Sequence, residues 1–159
     1  MHTLDTKELA ILANLRENGR ETLTNMSKKT LIPVSTIFEK LRLYEHYIIK
    51  RHTCLLDFTQ LGYNTRASIL LRVARDDRDP MKKFLQTHKS INSFSKINNG
   101  YDFMIEAIFR EVKDVEEFVE HLETAYKIEA KEIHYIIDDF KREDFLSHPD
   151  YIQLTGAIS

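Results

Sequence analysis

The sequence predicts an α+β fold in two parts, and three observations predict it. Residues 4 to about 47 carry apolar side chains at helical spacing, interrupted twice by turn residues. From Ala67 the spacing changes to strict alternation, which is strand periodicity. The second part then runs strand, helix, strand, strand, helix, strand, an order that folds as a four-stranded antiparallel sandwich with its helices on one face.

The first helix has clear punctuation. Asp5 can cap it, with Glu8 three positions later as in a capping box, and Leu4 and Leu9 stand where a hydrophobic staple would place them. Leu9, Ile11, Leu12 and Leu15 form its stripe, and Asn18-Gly19 ends it, with Gly19 suited to a left-handed conformation. A second helix follows Thr22 and runs to about Thr30, burying Leu23 and Met26. Leu31-Ile32-Pro33 breaks it, because proline disfavours helix in the residue before it. A third helix resumes at once, with Ile37, Leu41 and Tyr44 spaced i, i+4, i+7. Its other face carries Ser35, Thr36, Glu39, Lys40 and Arg42, while Phe38 is assigned to the core. Three helices with a tight turn before the last make a helix-turn-helix unit.

Ile48, Ile49, Cys54, Leu56 and Phe58 alternate in an extended pattern that predicts a connecting strand, so the unit is read as winged. The boundaries follow: 1–50 for the helix-turn-helix domain, 51–62 for the linking strand ending at Gly62, 63–140 for a ferredoxin-like sandwich, and 141–159 for a weakly patterned tail. In the sandwich, Ala67, Ile69, Leu71 and Val73 alternate, and Asp76–Pro80 turns into a helix bearing Met81, Phe84 and Leu85. Ile91 to Asn98 is the second strand, Asn98-Asn99-Gly100 a turn, and Phe103, Ile105, Ala107 and Phe109 the third strand. Asp114 is placed as the cap of a helix with Val115, Phe118, Val119, Leu122 and Tyr126 on one face, and Ile133, Tyr135 and Ile137 close the sheet. Such a sheet leaves one face open, and an apolar open face predicts a homodimer. Phe145, Tyr151 and Ile152 of the tail are candidates for docking.

Composition narrows the function. At 42% hydrophobic and 30% charged, the chain is that of a soluble globular protein. No apolar run approaches the roughly 20 residues that span a bilayer. Met1-His2-Thr3-Leu4-Asp5 lacks the basic start of a signal peptide, so a cytoplasmic protein without a membrane partner is expected. Cys54 is the only cysteine, which rules out an intrachain disulfide. His52 and Cys54 alternate without a third ligand, so no metal is expected. Nothing resembles a nucleophile-base pair or a phosphate-cradling loop, so neither an enzyme nor a cofactor is expected. Net charge is −2, yet Lys28 to Arg51 holds 6 basic and 2 acidic residues, a local +4 that suits a polyanion.

The order and spacing of these motifs resemble the Lrp/AsnC family of prokaryotic transcription regulators. Leu4-Asp5, Ile11-Leu12 and Asn18-Gly19-Arg20 resemble its first helix, and Ile32-Pro33-Val34-Ser35-Thr36-Ile37 its turn into the recognition helix, in a form similar to archaeal members. Ile48-Ile49, Asp57 and Gly62 resemble its exit into the linker, and Asn99-Gly100-Tyr101-Asp102-Phe103 its glycine-tyrosine-aspartate signature. Three positions depart from the pattern. Tyr47 stands where a glycine is usual, the stretch before Ile48 is one residue short, and Asn99 holds the signature's usual glycine position with Gly100 shifted by one.

The resemblance implies a dimer or larger assembly that binds double-stranded DNA. The recognition helix would meet base edges with Ser35, Thr36, Glu39, Lys40 and Arg42, and Lys28 and Lys29 would meet phosphates. It also implies an amino-acid-like effector near Asn98, Asn99, Gly100, Tyr101 and Asp102. Two other readings stand beside it. One is a tetrapyrrole-modifying enzyme similar to the siroheme decarboxylases, which share this scaffold. The other is an oligomerisation module that has lost DNA binding.

Overall fold

A computed structural model describes residues 4–148; Tyr151 and Ile152 lie outside them. The chain divides into two compact units. One comprises the described residues up to Leu55 together with those from Phe140, and the other comprises Leu56–Asp139.

The first unit is built on α1 (Thr6–Glu17), α2 (Leu23–Thr30) and α3 (Val34–Tyr47). The capping box at α1 is formed in both directions: Asp5 Oδ1 accepts from the Glu8 N–H at 2.8 Å, and Glu8 Oε2 accepts from the Asp5 N–H at 2.9 Å. The end of α1 differs from expectation. Gly19 has no positive φ; the extended Asn18 closes the helix through its own N–H, and its side chain accepts from the Arg20 N–H. An Asn side chain that mimics a backbone turn removes the need for a left-handed glycine. Thr22 caps α2. Leu31 takes φ 59° at the turn into α3. Ile11, Leu12, Met26, Ile32, Ile37 and Tyr44 form the core of this unit.

Phe38 does not join that core, and 52% of it remains exposed. It lies about 100° around α3 from Ile37, beyond the edge of the stripe that Ile37 and Tyr44 bury. Tyr47, in the place of the usual glycine, is simply the last helical residue. Residues 48–58 contain no strand, so the predicted linking strand and wing have no paired partner among the described residues. An extended stretch becomes a strand only where a second backbone meets its N–H and C=O groups. Residues 140–148 form no helix or strand, and Arg16 of α1 donates to the Glu143 carbonyl at 2.6 Å. Phe145 is 76% exposed and does not dock.

The second unit holds β1 (Thr65–Val73), α4 (Arg78–Thr87), β2 (Ile91–Lys96), β3 (Phe103–Phe109), α5 (Val112–Ala125) and β4 (Ile128–Tyr135). The sheet order is β2-β3-β1-β4 with every pair antiparallel, which is the ferredoxin-like arrangement. Ala67, Ile69, Leu71 and Val73 meet Ile105 and Phe103 of β3, Met81 and Leu85 of α4, and Val115, Phe118 and Leu122 of α5 in one apolar core. Several expected boundaries move. β2 ends at Lys96 and not at Asn98. Asp114 is the third residue of α5, not its cap, and its carboxylate accepts from the Arg110 and Glu111 N–H groups. Ile137 falls beyond β4 and is 97% exposed.

The open sheet face is not the apolar surface expected. Leu70, Met104 and Ile108 share it with Arg66, Ser68, Arg72, Glu106, Glu132 and His134, as the strand registers require. Alternation buried one set of side chains against the helices and left a mixed set outside.

Candidate nucleic-acid interface

The tight turn at Leu31–Pro33 presents α3 with an open N-terminus. Pro33 holds the cap position and has no side chain to accept a hydrogen bond. Ser35 and Thr36 are exposed in the first turn, where backbone N–H groups lack helical partners and the helix dipole favours an anion. Glu39 and Arg42 are exposed one and two turns further on. Ser35, Phe38 and Arg42 are spaced i, i+3, i+7 and so form one outward strip.

The four basic residues nominated from the sequence divide into two pairs. Lys40 Nζ lies 2.5 Å from Glu8 Oε1, and Glu8 is buried with 6% exposure. The hydrogen bond from Lys40, reinforced by the Asp5 N–H, holds the Glu8 carboxyl below its ordinary value, and Glu8 in turn raises Lys40. This pair ties α3 to the first turn of α1. Lys29 is likewise held by Glu21 at 2.7 Å, which raises the ammonium and lowers the carboxyl. Lys28 and Arg42 make no ion pair among the described residues and are exposed. The Tyr44 hydroxyl is buried without a hydrogen-bond partner of good geometry; burial, then the Glu8 charge, keeps its proton on.

Glu8 is the residue that sequence reasoning missed. It was placed only as a capping group, yet it carries a second job with its other oxygen. A signal was present, because Lys40 stands three residues after Ile37 and four before Tyr44, on the edge of the buried stripe.

The Asn98–Asp102 turn is also divided. Asn99 takes φ 64° and Gly100 φ 100°. Asn99 therefore supplies the left-handed residue at the signature's usual glycine position, which asparagine tolerates. Asp102 is engaged in the fold: its Oδ2 accepts from the Val73 N–H at 2.9 Å, and its Oδ1 lies 3.1 Å from Arg78. Tyr101 donates to Glu132 of β4 at 2.7 Å, which lowers the Glu132 carboxyl. Asn98, Asn99 and Gly100 remain exposed. At another edge of this unit an open cleft of about 720 Å³ lies between Tyr63, His88, Arg110, Phe118 and His121. Burial, more than the neighbouring Lys89, depresses His88 below its ordinary value.

Comparison with known proteins agrees with this architecture. Residues 66–145 match the model of the Lrp/AsnC ligand binding domain. An HTH-type transcriptional regulator of Pyrococcus furiosus is 28% identical over 148 residues, covering 89% of this chain and 96% of its own length. The transcriptional regulator AzlB of Bacillus subtilis is 28% identical over 123 residues, 73% of this chain and 76% of its own. Among solved structures, B. subtilis LrpC superposes with a TM-score of 0.80 at 21% identity, covering 88% of this chain and 99% of that one. A Neisseria meningitidis transcriptional regulator in complex with L-Met gives the same score and identity over 88% of this chain and 94% of its own. The relatives that match this chain over most of their length are transcriptional regulators. This chain belongs to the Lrp/AsnC family.

Proposed function

We propose that the protein is a sequence-specific DNA-binding transcription regulator that works as a homodimer or a larger symmetric assembly. The observation that carries this is the outer face of α3. It follows a tight turn, begins with an uncapped N-terminus, and presents Ser35, Thr36, Glu39 and Arg42 free of the fold. In the proposed complex Arg42 and the first-turn hydroxyls meet base edges, and Lys28 meets phosphate. Lys40 and Lys29 act one step back, by holding the helices that present those groups.

The effector reading belongs to the sandwich. One similar regulator was solved with L-Met, and the exposed Asn98-Asn99-Gly100 backbone offers polar groups for an amino-acid-like ligand. In this proposal Asp102 and Tyr101 hold the turn in shape, since both already have partners in the fold.

The test is titration of the purified protein against the DNA upstream of its own gene, with random duplex as competitor, at several salt concentrations. The expected outcome is binding that survives the competitor and falls steeply as salt rises, through counterion release. Binding equal to the competitor on that fragment, and again after selection from random DNA, would refute the proposal. A preparation absorbing in the Soret region would favour the tetrapyrrole enzyme instead.

A further inference from the structure

Phe38 is exposed on the helix that the proposed function sends into DNA. It is 52% exposed, and Val34, four residues earlier and therefore beside it on the helix, is 41% exposed. Polar groups adjoin this apolar pair: Ser35 and Arg42 lie on the same strip, and Glu39 follows directly. Arg42, on the same strip as Phe38, is exposed without an ion pair among the described residues, whereas Lys29 and Lys40 are already neutralised by carboxylates. An apolar spot beside an unpaired guanidinium and exposed hydroxyls, in the N-terminal half of a helix whose uncapped end favours an anion, is complementary to a polyanion that also displays an apolar group. The major-groove edge of DNA is such a surface. Its only apolar feature is the 5-methyl group of thymine, which aromatic and aliphatic side chains contact.

We infer that Phe38, with Val34 beside it, is a specificity-determining contact that reads a thymine methyl in each half-site. This rests on the DNA-binding reading and adds to it a base and a chemical group. The contact is made by burial and not by hydrogen bonding. The protein therefore distinguishes thymine from uracil, which differs only by that methyl.

The experiment uses the full chain. A bound sequence is first selected from random duplex DNA, and each thymine of the selected half-site is then replaced in turn by deoxyuridine. One replacement is expected to weaken binding about fourfold per half-site, the worth of one buried methyl, and about fifteenfold when made in both halves of a symmetric site. Phe38→Ala is expected to bind the thymine and uracil duplexes equally, and Phe38→Leu to keep part of the preference. Both variants should melt as the parent does, because the side chain is outside the core. Wild-type affinity indifferent to every uracil replacement overturns the inference alone and leaves the regulator standing. So does a Phe38→Ala variant that keeps the full thymine preference. A change in assembly size for Phe38→Ala shows that the patch faces a second copy of the chain, and overturns it as well. A chain that selects no site from random DNA removes the regulator reading and this inference together.

Discussion

The two units bury different kinds of core. Among the described residues, the sheet unit gathers fourteen buried apolar side chains into one cluster, and Thr65 is its one buried polar residue. The helical unit gathers six, and it buries Glu8, Asn14 and Ser147 as well. A four-stranded sheet covered by two helices has apolar surface enough to close on itself. Three short helices do not, and here one contact between α1 and α3 is made by a carboxylate and an ammonium. The small core is therefore joined by a contact that depends on charge, in the unit that holds the proposed recognition helix. Burial alone closes the sheet unit, whereas the helical unit adds the Glu8–Lys40 pair to its smaller core.

The largest expected effect tests the packing side of this contrast. Leu71 is fully buried in the sheet, and Leu71→Ala should cost about 2–5 kcal/mol in denaturant unfolding. Ile37 is as fully buried in the helical unit. Because its core is smaller, Ile37→Ala should abolish hydrogen-exchange protection of α1–α3 amides while β1 and β3 keep theirs. Equal loss in both units would show a single cooperative structure and break the comparison.

Next in size is the separation of the two basic residues on α3. Arg42→Ala should weaken binding to a selected site by about 1–3 kcal/mol, measured by titration, with the melting temperature unchanged. Lys40→Ala should lower the melting temperature of the helical unit, because it strands the buried Glu8 carboxylate. A Lys40→Ala protein that melts normally but loses DNA affinity would return Lys40 to the interface.

Acid should separate the units further. His88 is depressed from 6.5 by burial, so its contribution to the sheet unit is whole above pH 6.5 and drains as pH falls toward its folded value. Glu8 is depressed from 4.5, so its contribution to the helical unit is whole above pH 4.5 and drains as pH falls through its lower folded value. Melting curves against pH should show these two windows. His88→Gln should flatten the upper one and Glu8→Gln the lower one, and a variant that leaves its window unchanged would reassign it.

The smallest effect concerns the turn. With Asn99 at φ 64°, Asn99→Val should cost about 1 kcal/mol in denaturant unfolding, while Asn99→Gly should leave stability unchanged or slightly higher. Equal stability of the valine and glycine variants would show that the turn relaxes freely.

Much of this was legible from periodicity. The helix starts at Asp5 and Thr22, the alternation of Ala67–Val73 and Phe103–Phe109, and the face of α5 all follow from local rules that the structure obeys. Local rules failed where two distant segments had to agree. Residues 48–58 have strand chemistry but meet no pairing backbone among the described residues. Gly19 was unnecessary once Asn18 closed the helix. The order of motifs also pointed to the right family, since order and spacing survive where individual residues vary.

What the sequence determined by itself is which segments are helix and strand and which residues are eligible for a site, because propensity, capping and periodicity act over a few residues. What only the tertiary structure decided is which eligible residues are free. Lys40 and Arg42 are two positions apart on one helix, yet one is held by Glu8 from 32 residues away and the other is left at the surface. Asp102 is held by Val73 and Arg78 while its neighbour Asn99 is left exposed. Phe38 stays outside because one step along a helix turns a side chain by about 100°, out of the reach of the core.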